Sequence, residues 1–330
     1  MAKQRIYLDH AATSPLRPEA KAAMEEGFRL WANPSSPHAE GRKARAALED
    51  VRERIKRSLG WDGELIFTSG ASEALSIALQ RAKVDRRIIS AVEHDAVLRA
   101  APDAQIFSDD CTFDDRTILA VQHVNSETGV INPVGDMAQT VKSTGVLILS
   151  DCSQSAGKLP LPDADMLVVS AHKFGGPIGI GALLVRDFNM LDPIGGHERG
   201  YRQGTENLPG AMGMAAALEA GEWSTTPAQR QEFISGLSDH ALTIGDQVDY
   251  LVALTHPSMS AQALLIRLDA AGFAVSAGSA CSSGTLKKSK VLDAFGVSDE
   301  IAARTIRVSM GWNTTPLELQ TFADAWKSLT

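Results

Sequence analysis

The chain has 330 residues, of which 44% are hydrophobic and 22% charged, and it carries a formal net charge of −8. That make-up suits a soluble globular protein of about two domains, and the acidic balance gives no electrostatic reason to expect nucleic acid or an anionic membrane as a partner. No run approaches the ~18 uninterrupted apolar residues of a membrane helix, and the first residues lack the apolar stretch of a signal peptide, so a cytoplasmic protein is expected.

Residues 38–59 repeat apolar side chains at Ala44, Ala47, Leu48, Val51, Ile55 and Leu59, which is helical spacing. The basic residues there (Arg42, Lys43, Arg45, Arg52, Arg54, Lys56 and Arg57) alternate with Glu49, Asp50 and Glu53 and read as a solvated helix face. A β-like run, 64–68, then breaks at Ser69-Gly70-Ala71-Ser72 before a helical pattern over 73–81. Further short apolar runs at 87–92, 118–124, 146–150, 166–170 and 181–185 are spaced by helix- or loop-sized segments, the pattern of a buried parallel sheet covered by helices. A helical stretch over 211–223 leads into the polar Ser224-Thr225-Thr226-Pro227, and the remainder alternates helix-like and strand-like runs. The expected fold is α/β: a large domain, 14–223, with a mainly parallel sheet flanked by helices, and a smaller α+β domain made of 1–13 and 224–330.

Open α/β sheets bind ligands beyond the carboxyl ends of their strands, and several strand ends here carry chemistry. The turn after Thr68 opens a helix, whose free N–H groups and dipole favour a phosphate; a plain strand–helix turn with Ser72 as N-cap accounts for it equally well. Asp151 follows the 146–150 strand, with Gln154 three residues on. That carboxylate serves either a ligand or the cap of the next helix. The 166–170 strand ends in Ala171-His172-Lys173 and a glycine-rich loop. An amine leaving a buried strand becomes nucleophilic through desolvation and neighbouring cations, although a surface lysine is the simpler alternative. A lysine, a carboxylate and phosphate donors together are what pyridoxal phosphate requires.

Eight segments then establish a resemblance. They include Thr68-Ser69-Gly70-Ala71-Ser72-Glu73, Glu93-His94-Asp95-Ala96-Val97, His123 to Gly129 and Asp151-Cys152-Ser153-Gln154-Ser155. The others are Ser170-Ala171-His172-Lys173, Gly195 to Gly200, Arg202-Gln203-Gly204-Thr205 and Ser276-Ala277-Gly278-Ser279-Ala280-Cys281. They follow one another in family order, and with Tyr7-Leu8-Asp9-His10-Ala11-Ala12-Thr13 before them and Arg307-Val308-Ser309 after them nearly the whole chain resembles the NifS/IscS-like cysteine desulfurases among the class V, fold-type-I pyridoxal-phosphate enzymes. The resemblance implies that Lys173 bonds the cofactor and moves the substrate α-proton, with Asp151 at the pyridine nitrogen and Gln154 at the phenolic oxygen. It places His94 on the cofactor ring as a stacking and proton-transfer residue. Ala71, Ser72, Ser170 and His172 would hold the phosphate, joined by Thr205 from the other subunit of a homodimer. Asn125 and Arg307 would hold the carboxylate of L-cysteine, and Asn125 would also line the cofactor site. Cys281 would take the sulfur as a persulfide and pass it to a protein acceptor, an iron–sulfur scaffold or sulfur relay.

Only three cysteines occur, too few and too scattered for a disulfide framework or a metal site. The small residues around Cys281 suit an accessible loop, whereas Cys111 and Cys152 read as structural. The chain departs from its relatives in a short interval between His94 and Asn125, a short stretch after Cys281, and Ile178 in place of a lysine after Gly176-Pro177. The shortened end puts docking of an iron–sulfur scaffold in question. A selenocysteine lyase or a small-substrate aminotransferase would share the fold, and a non-catalytic homologue acting as scaffold would share the sequence frame but has no use for Lys173, Asp151, His94, Arg307 and Cys281 together.

Overall fold

The computed structural model describes residues 5–277 and 289–330. In chain order its strands are β1 (Ile6–Tyr7), β2 (Glu64–Thr68), β3 (Arg86–Ile89), β4 (Gln105–Ile106), β5 (Thr117–Ala120), β6 (Leu147–Asp151), β7 (Met166–Ser170), β8 (Gly181–Val185), β9 (Leu251–Thr255), β10 (Phe273–Ala274) and β11 (Thr305–Ser309). The chain falls into two units: Pro15–His123 with Asn132–Gly221, and Met1–Ser14 with Val124–Ile131 and Glu222–Thr330.

The first unit is built on a seven-stranded sheet in the order β2-β8-β7-β6-β5-β3-β4. Alternate residues of β2, β8 and β7 enter different cores. Leu65, Phe67, Leu167, Val169 and Leu184 face one side, and Ile66, Met166, Val168, Leu183 and Val185 the other. This period of two is why both faces must be covered by helices. Helix Ala39–Leu59 covers one face with Ala44, Leu48, Val51, Ile55 and Leu59, all buried. Each such large aliphatic side chain contributes roughly 1.5–3 kcal/mol on burial. His38 caps its start by accepting from Gly41 N at 3.2 Å, and Gly60 ends it in the left-handed region at φ 64°.

The sheet is parallel except at β8, which runs antiparallel to both β2 and β7. The run at 181–185 is therefore a strand as expected, but one of opposite direction. The residues between Ser170 and Gly181 are too few for a helical crossover, which needs a dozen or more. Two other strands are shorter than the apolar runs suggest: β3 stops at Ile89 and β5 at Ala120. The residues that follow them leave the ladder and carry site groups.

In the second unit β11 pairs antiparallel with β9, and β1 pairs parallel with β10. Helix Pro316–Leu329 starts at a capping box of Thr315 and Glu318. It buries Phe322 and Trp326 completely, with Phe322 against Phe233 and Phe273 at centroid distances of 6.1 and 5.4 Å. Among the described residues no helix is long and apolar enough to cross a membrane.

Candidate active site

Because β2, β3, β5, β6 and β7 run the same way, their carboxyl ends share one edge of the sheet. That edge gathers Ala71, Ser72, His94, Asp151, Gln154, Ser170, His172 and Lys173. The register brings two of the strand ends very close: Thr68 and Ser170 both pair with Gly181. A side chain at Gly181 would stand 2.6 Å from Val169 O and 2.8 Å from Gly70 Cα. A Cβ on Gly70 itself would meet only Ser170 Oγ, at 3.9 Å. The turn after β2 and the end of β7 are thus pressed together through two glycines.

Helix Ala71–Arg81 begins at this point. Its N-cap is Gly70, at φ 147° and with no side-chain cap, so Ser72 lies inside the first turn and is not the cap. The N–H groups of Ala71, Ser72 and Glu73 precede the first helical acceptor, and Ala74 N is the one that bonds Gly70 O, at 3.2 Å. Such a start suits an anion. Opposite it, the end of β7 supplies nitrogen groups. Burial and the cations Lys173 and Lys158 pull the His172 imidazole down to about 4. Burial and Lys173 bring the Lys158 amine down to about 7. Lys158 joins through the turn after β6: Gly157, at φ 71°, leaves 3.4 Å between a Cβ and that of Phe174. Three nitrogen groups crowded beside an anion cradle fit a phosphate next to a nucleophilic amine.

Asp151 ends β6 and does not cap a helix, since a turn follows it. Its Oδ1 accepts from Ser153 N at 2.9 Å, while Oδ2 takes no hydrogen bond from the described residues. Ser153 Oγ is buried with no partner among the described residues, and Gln154 is buried beside it. An acceptor carboxylate and an orphaned hydroxyl fit the polar rim of a pyridinium ring, so the residues present suit pyridoxal phosphate. Cys152 is wholly buried, and burial with the Asp151 charge pushes its thiol up to about 12. It is inert filler, as read from the sequence.

His94 caps helix Asp95–Ala100, its Nδ1 accepting from Ala96 N at 3.1 Å. In the neutral ring the proton is therefore on Nε2, and the side chain is exposed. Glu93 before it went unassigned in the sequence. It is buried, and its Oε1 accepts from Gln122 N at 2.7 Å. Burial and, to a lesser degree, the Asp151 charge push its carboxyl well above the usual range.

The loop 195–206 is fastened to this unit by buried ions. Arg52 grips Glu198 through two bonds of 2.9 and 3.0 Å, and Glu198 also accepts from Phe67 N at 2.7 Å. Glu198 and Arg199 both hold positive φ, 48° and 56°, a strain of about 1–3 kcal/mol each that the ion pair sustains. Further on, Arg202 Nε donates to Glu73 at 3.1 Å, and Glu73 in turn accepts from Ser69 N. Thr205 itself is exposed, and among the described residues no hydrogen bond joins it to the cradle.

Asn125 and Arg307 belong to the other unit, where the structure brings them together. Asn125 Oδ1 accepts from Glu127 N and Thr128 N at 2.9 Å each and from Thr128 Oγ1 at 3.0 Å, which leaves Nδ2 as the donating end of the amide. Arg307 donates to Ser126 O in the same turn at 2.9 Å, to Asp9 at 2.8 Å and to Ser276 Oγ at 2.7 Å. Its Nε is buried with no partner among the described residues. A buried guanidinium N–H in this condition suits an incoming carboxylate. Cys281 lies outside the described residues.

The family model of aminotransferase class V matches residues 6–109 and 102–322. The chain is 31% identical to cysteine desulfurase IscS of Dictyoglomus turgidum, over 96% of this chain and 92% of that protein. It is 35% identical to an IscS-like cysteine desulfurase of Mycobacterium tuberculosis, over 92% and 91% of the two chains. Among solved structures a NifS-like protein superposes with a TM-score of 0.87 at 27% identity, covering 99% of both chains. The structure of SspA in complex with cysteine gives a TM-score of 0.80 at 28% identity, covering 94% of this chain and all of that one. The eight motifs, the fold and these likenesses agree: the chain belongs to the NifS/IscS-like cysteine desulfurases of the class V aminotransferase family.

Proposed function

We propose that the chain converts L-cysteine to L-alanine and collects the sulfur as a persulfide on Cys281. The observation that carries the reading is the grouping of Lys173 with Lys158 and His172 across from the helix start at Ala71, with Asp151 on the adjacent strand. Pyridoxal phosphate, when bound, supplies the electron sink that lets the substrate α-proton leave and weakens the bond from carbon to sulfur. Lys173 would hold it through its aldehyde, and the Lys173 amine would take and return protons at the substrate carbon. Asp151 would keep the pyridine nitrogen protonated, Gln154 would face the phenolic oxygen and His94 the ring. Ala71, Ser72, Ser170 and His172 would take the phosphate. Arg307 and Asn125 orient the substrate through its carboxylate.

The Cys281 thiolate then forms a bond to the substrate sulfur as the carbon–sulfur bond breaks. That electron pair remains on the carbon skeleton, which is protonated and leaves as alanine. Holding thiolate and sulfur in line is what the protein contributes to this step. Mass spectrometry after treatment with L-cysteine tests it. The Cys281 peptide gains the mass of one sulfur and one alanine is released per site, whereas alanine and sulfide release at the wild-type rate by Cys281→Ala overturns the assignment.

A homodimer goes with this reading. The exposed Thr205, held on its anchored loop, is available to a second copy's phosphate. Phe28, Trp31 and Ile178 are 61%, 84% and 76% exposed, an apolar surface suited to a subunit contact. Pro177 and Met24 both approach Gly213, which brings Ile178 beside the helix that bears Phe28. The persulfide passes to a protein acceptor of sulfur, an iron–sulfur scaffold or another relay, in the cytoplasm.

A further inference from the structure

Arg307, which takes the substrate carboxylate in the reading above, already holds a carboxylate of its own chain. Its Nη2 donates to Asp9 Oδ1 at 2.8 Å and to Ser276 Oγ at 2.7 Å, and its Nη1 donates to Ser126 O at 2.9 Å. Ser276 Oγ in turn donates to Asp9 Oδ1 at 2.8 Å, so the three side chains close a ring of hydrogen bonds. The pair is largely withdrawn from water, with the Arg307 side chain 10% exposed and that of Asp9 19%. Among the described residues Asp9 is the acid that pairs with Arg307.

The donors left on the guanidinium decide what a second carboxylate can do. Of its five N–H bonds, both on Nη2 and one on Nη1 are in use, while Nε is buried with no partner among the described residues. A forked grip needs two parallel N–H bonds, from Nη2 together with either Nε or Nη1. Both of those edges contain Nη2, so a substrate carboxylate completes a fork only by taking the place of Asp9 or Ser276. Nor is the Asp9 charge needed to dock the start of the chain. Ser309 N donates to Leu8 O at 2.8 Å, Ile6 N to Gly272 O at 2.9 Å and Ala11 N to Ser309 Oγ at 2.9 Å.

We infer that Asp9 is a stand-in for the substrate carboxylate on Arg307, a positioning residue that gives way as L-cysteine enters and returns as alanine leaves. Its charge thereby sets how tightly both are held. Without Asp9 the guanidinium is a buried charge with no counter-ion, and an incoming carboxylate is gripped far more strongly. That grip lies away from the bonds that change, so it is equal in the substrate and in the transition state and adds nothing to the chemical step. A pre-paired Arg307 recognises the carboxylate without retaining the product. The inference rests on the desulfurase reading and deepens it.

The test uses the holoenzyme and Asp9→Asn, which keeps an oxygen for Ser276 and Arg307 but removes the charge. Affinities for L-alanine and for L-alaninamide, which has no carboxylate, are read from cofactor absorbance, beside the melting temperature without ligand. Asp9→Asn melts lower than wild type yet binds L-alanine on the order of tenfold more tightly, with L-alaninamide affinity unchanged. Asp9→Ser carries the same test where the asparagine variant fails to fold. An L-alanine affinity equal to wild type or weaker overturns the inference, because Asp9 then does not compete for Arg307. An equal gain for L-alanine and L-alaninamide overturns it too, since the carboxylate is then not what is gripped. Arg307→Met in the otherwise native chain tests the grip itself. If it leaves L-alanine affinity at the wild-type value, Arg307 does not take the carboxylate, and the inference falls with that assignment. A wild-type enzyme that forms no persulfide from L-cysteine refutes the desulfurase reading, a result separate from the L-alanine affinities.

Discussion

Thr68 and Ser170 end their strands on either side of a single residue, Gly181, with which both are in register. The cradle for an anion depends on that narrowness, because Gly70 reaches the end of β7 only where no side chain intervenes. Gly181→Ala places a Cβ 2.6 Å from one backbone atom and 2.8 Å from another, neither of which is the end of a flexible side chain. We expect a loss of about 1–3 kcal/mol in stability and weaker cofactor binding. Chemical denaturation and an absorbance titration with pyridoxal phosphate measure the two. Unchanged affinity in a destabilised variant would mean that the cradle does not need this contact.

The strand ends were readable in the sequence because β6 and β7 are buried on both faces, so their apolar runs stop where Asp151 and the Ser170–Lys173 segment begin. The direction of β8 was not read, although the brief link after Ser170 argues for it. Lys158 and Glu93 carried no role in the sequence, and Arg52, expected on a solvated helix face, is buried against Glu198. Each matters through a residue on another element, and one sequence carries no trace of the pairing of Arg52 with Glu198 or of Glu93 with Gln122.

Arg52 and Glu198 form a buried ion pair, 3% and 4% exposed. Removing one partner strands the other charge, which costs about 3–5 kcal/mol. Arg52→Met should therefore destabilise the chain by that order. The loop 195–206 should also lose protection, since the strain at Glu198 and Arg199 is no longer held. Hydrogen exchange of that loop, read beside the melting temperature, distinguishes a local release from global weakening. Exchange at the wild-type rate would show that the ion pair does not hold the loop.

Lys158 gives a pH dependence of definite sign. Its amine titrates near 7 in the folded chain against 10.5 in the unfolded one. Below 10.5 the unfolded chain holds the extra proton, so this residue lowers stability progressively as pH falls toward 7, and the penalty is constant below that. Lys158→Met should raise the stability of the cofactor-free chain at pH 7 by on the order of 1–3 kcal/mol, a value reduced for the partial exposure of the side chain. It should also flatten the slope between pH 10 and 7. Denaturation curves over this range decide it, and an unchanged slope refutes the crowding of cations at the end of β7.

Glu93 carries the opposite dependence. Its carboxyl, buried and beside the Asp151 charge, titrates well above its ordinary value of 4.5. Between that value and its folded one the native chain keeps a proton that the unfolded chain has released. Stability from this group is complete below 4.5 and is lost as pH rises through the folded value. Glu93→Gln removes the titration while keeping an oxygen to accept from Gln122 N, the bond of 2.7 Å in the native chain. The variant should match wild type near pH 4.5, exceed it in stability at pH 8, and retain cofactor binding. Glu93→Ala leaves the Gln122 N–H buried and unmet, at a cost of about 1–3 kcal/mol at every pH. Parallel denaturation curves for wild type and the glutamine variant from pH 4.5 to 8 would mean that Glu93 is ionised in the folded chain. Asp151 would then face a second negative charge, and the site would need a compensating cation on that side.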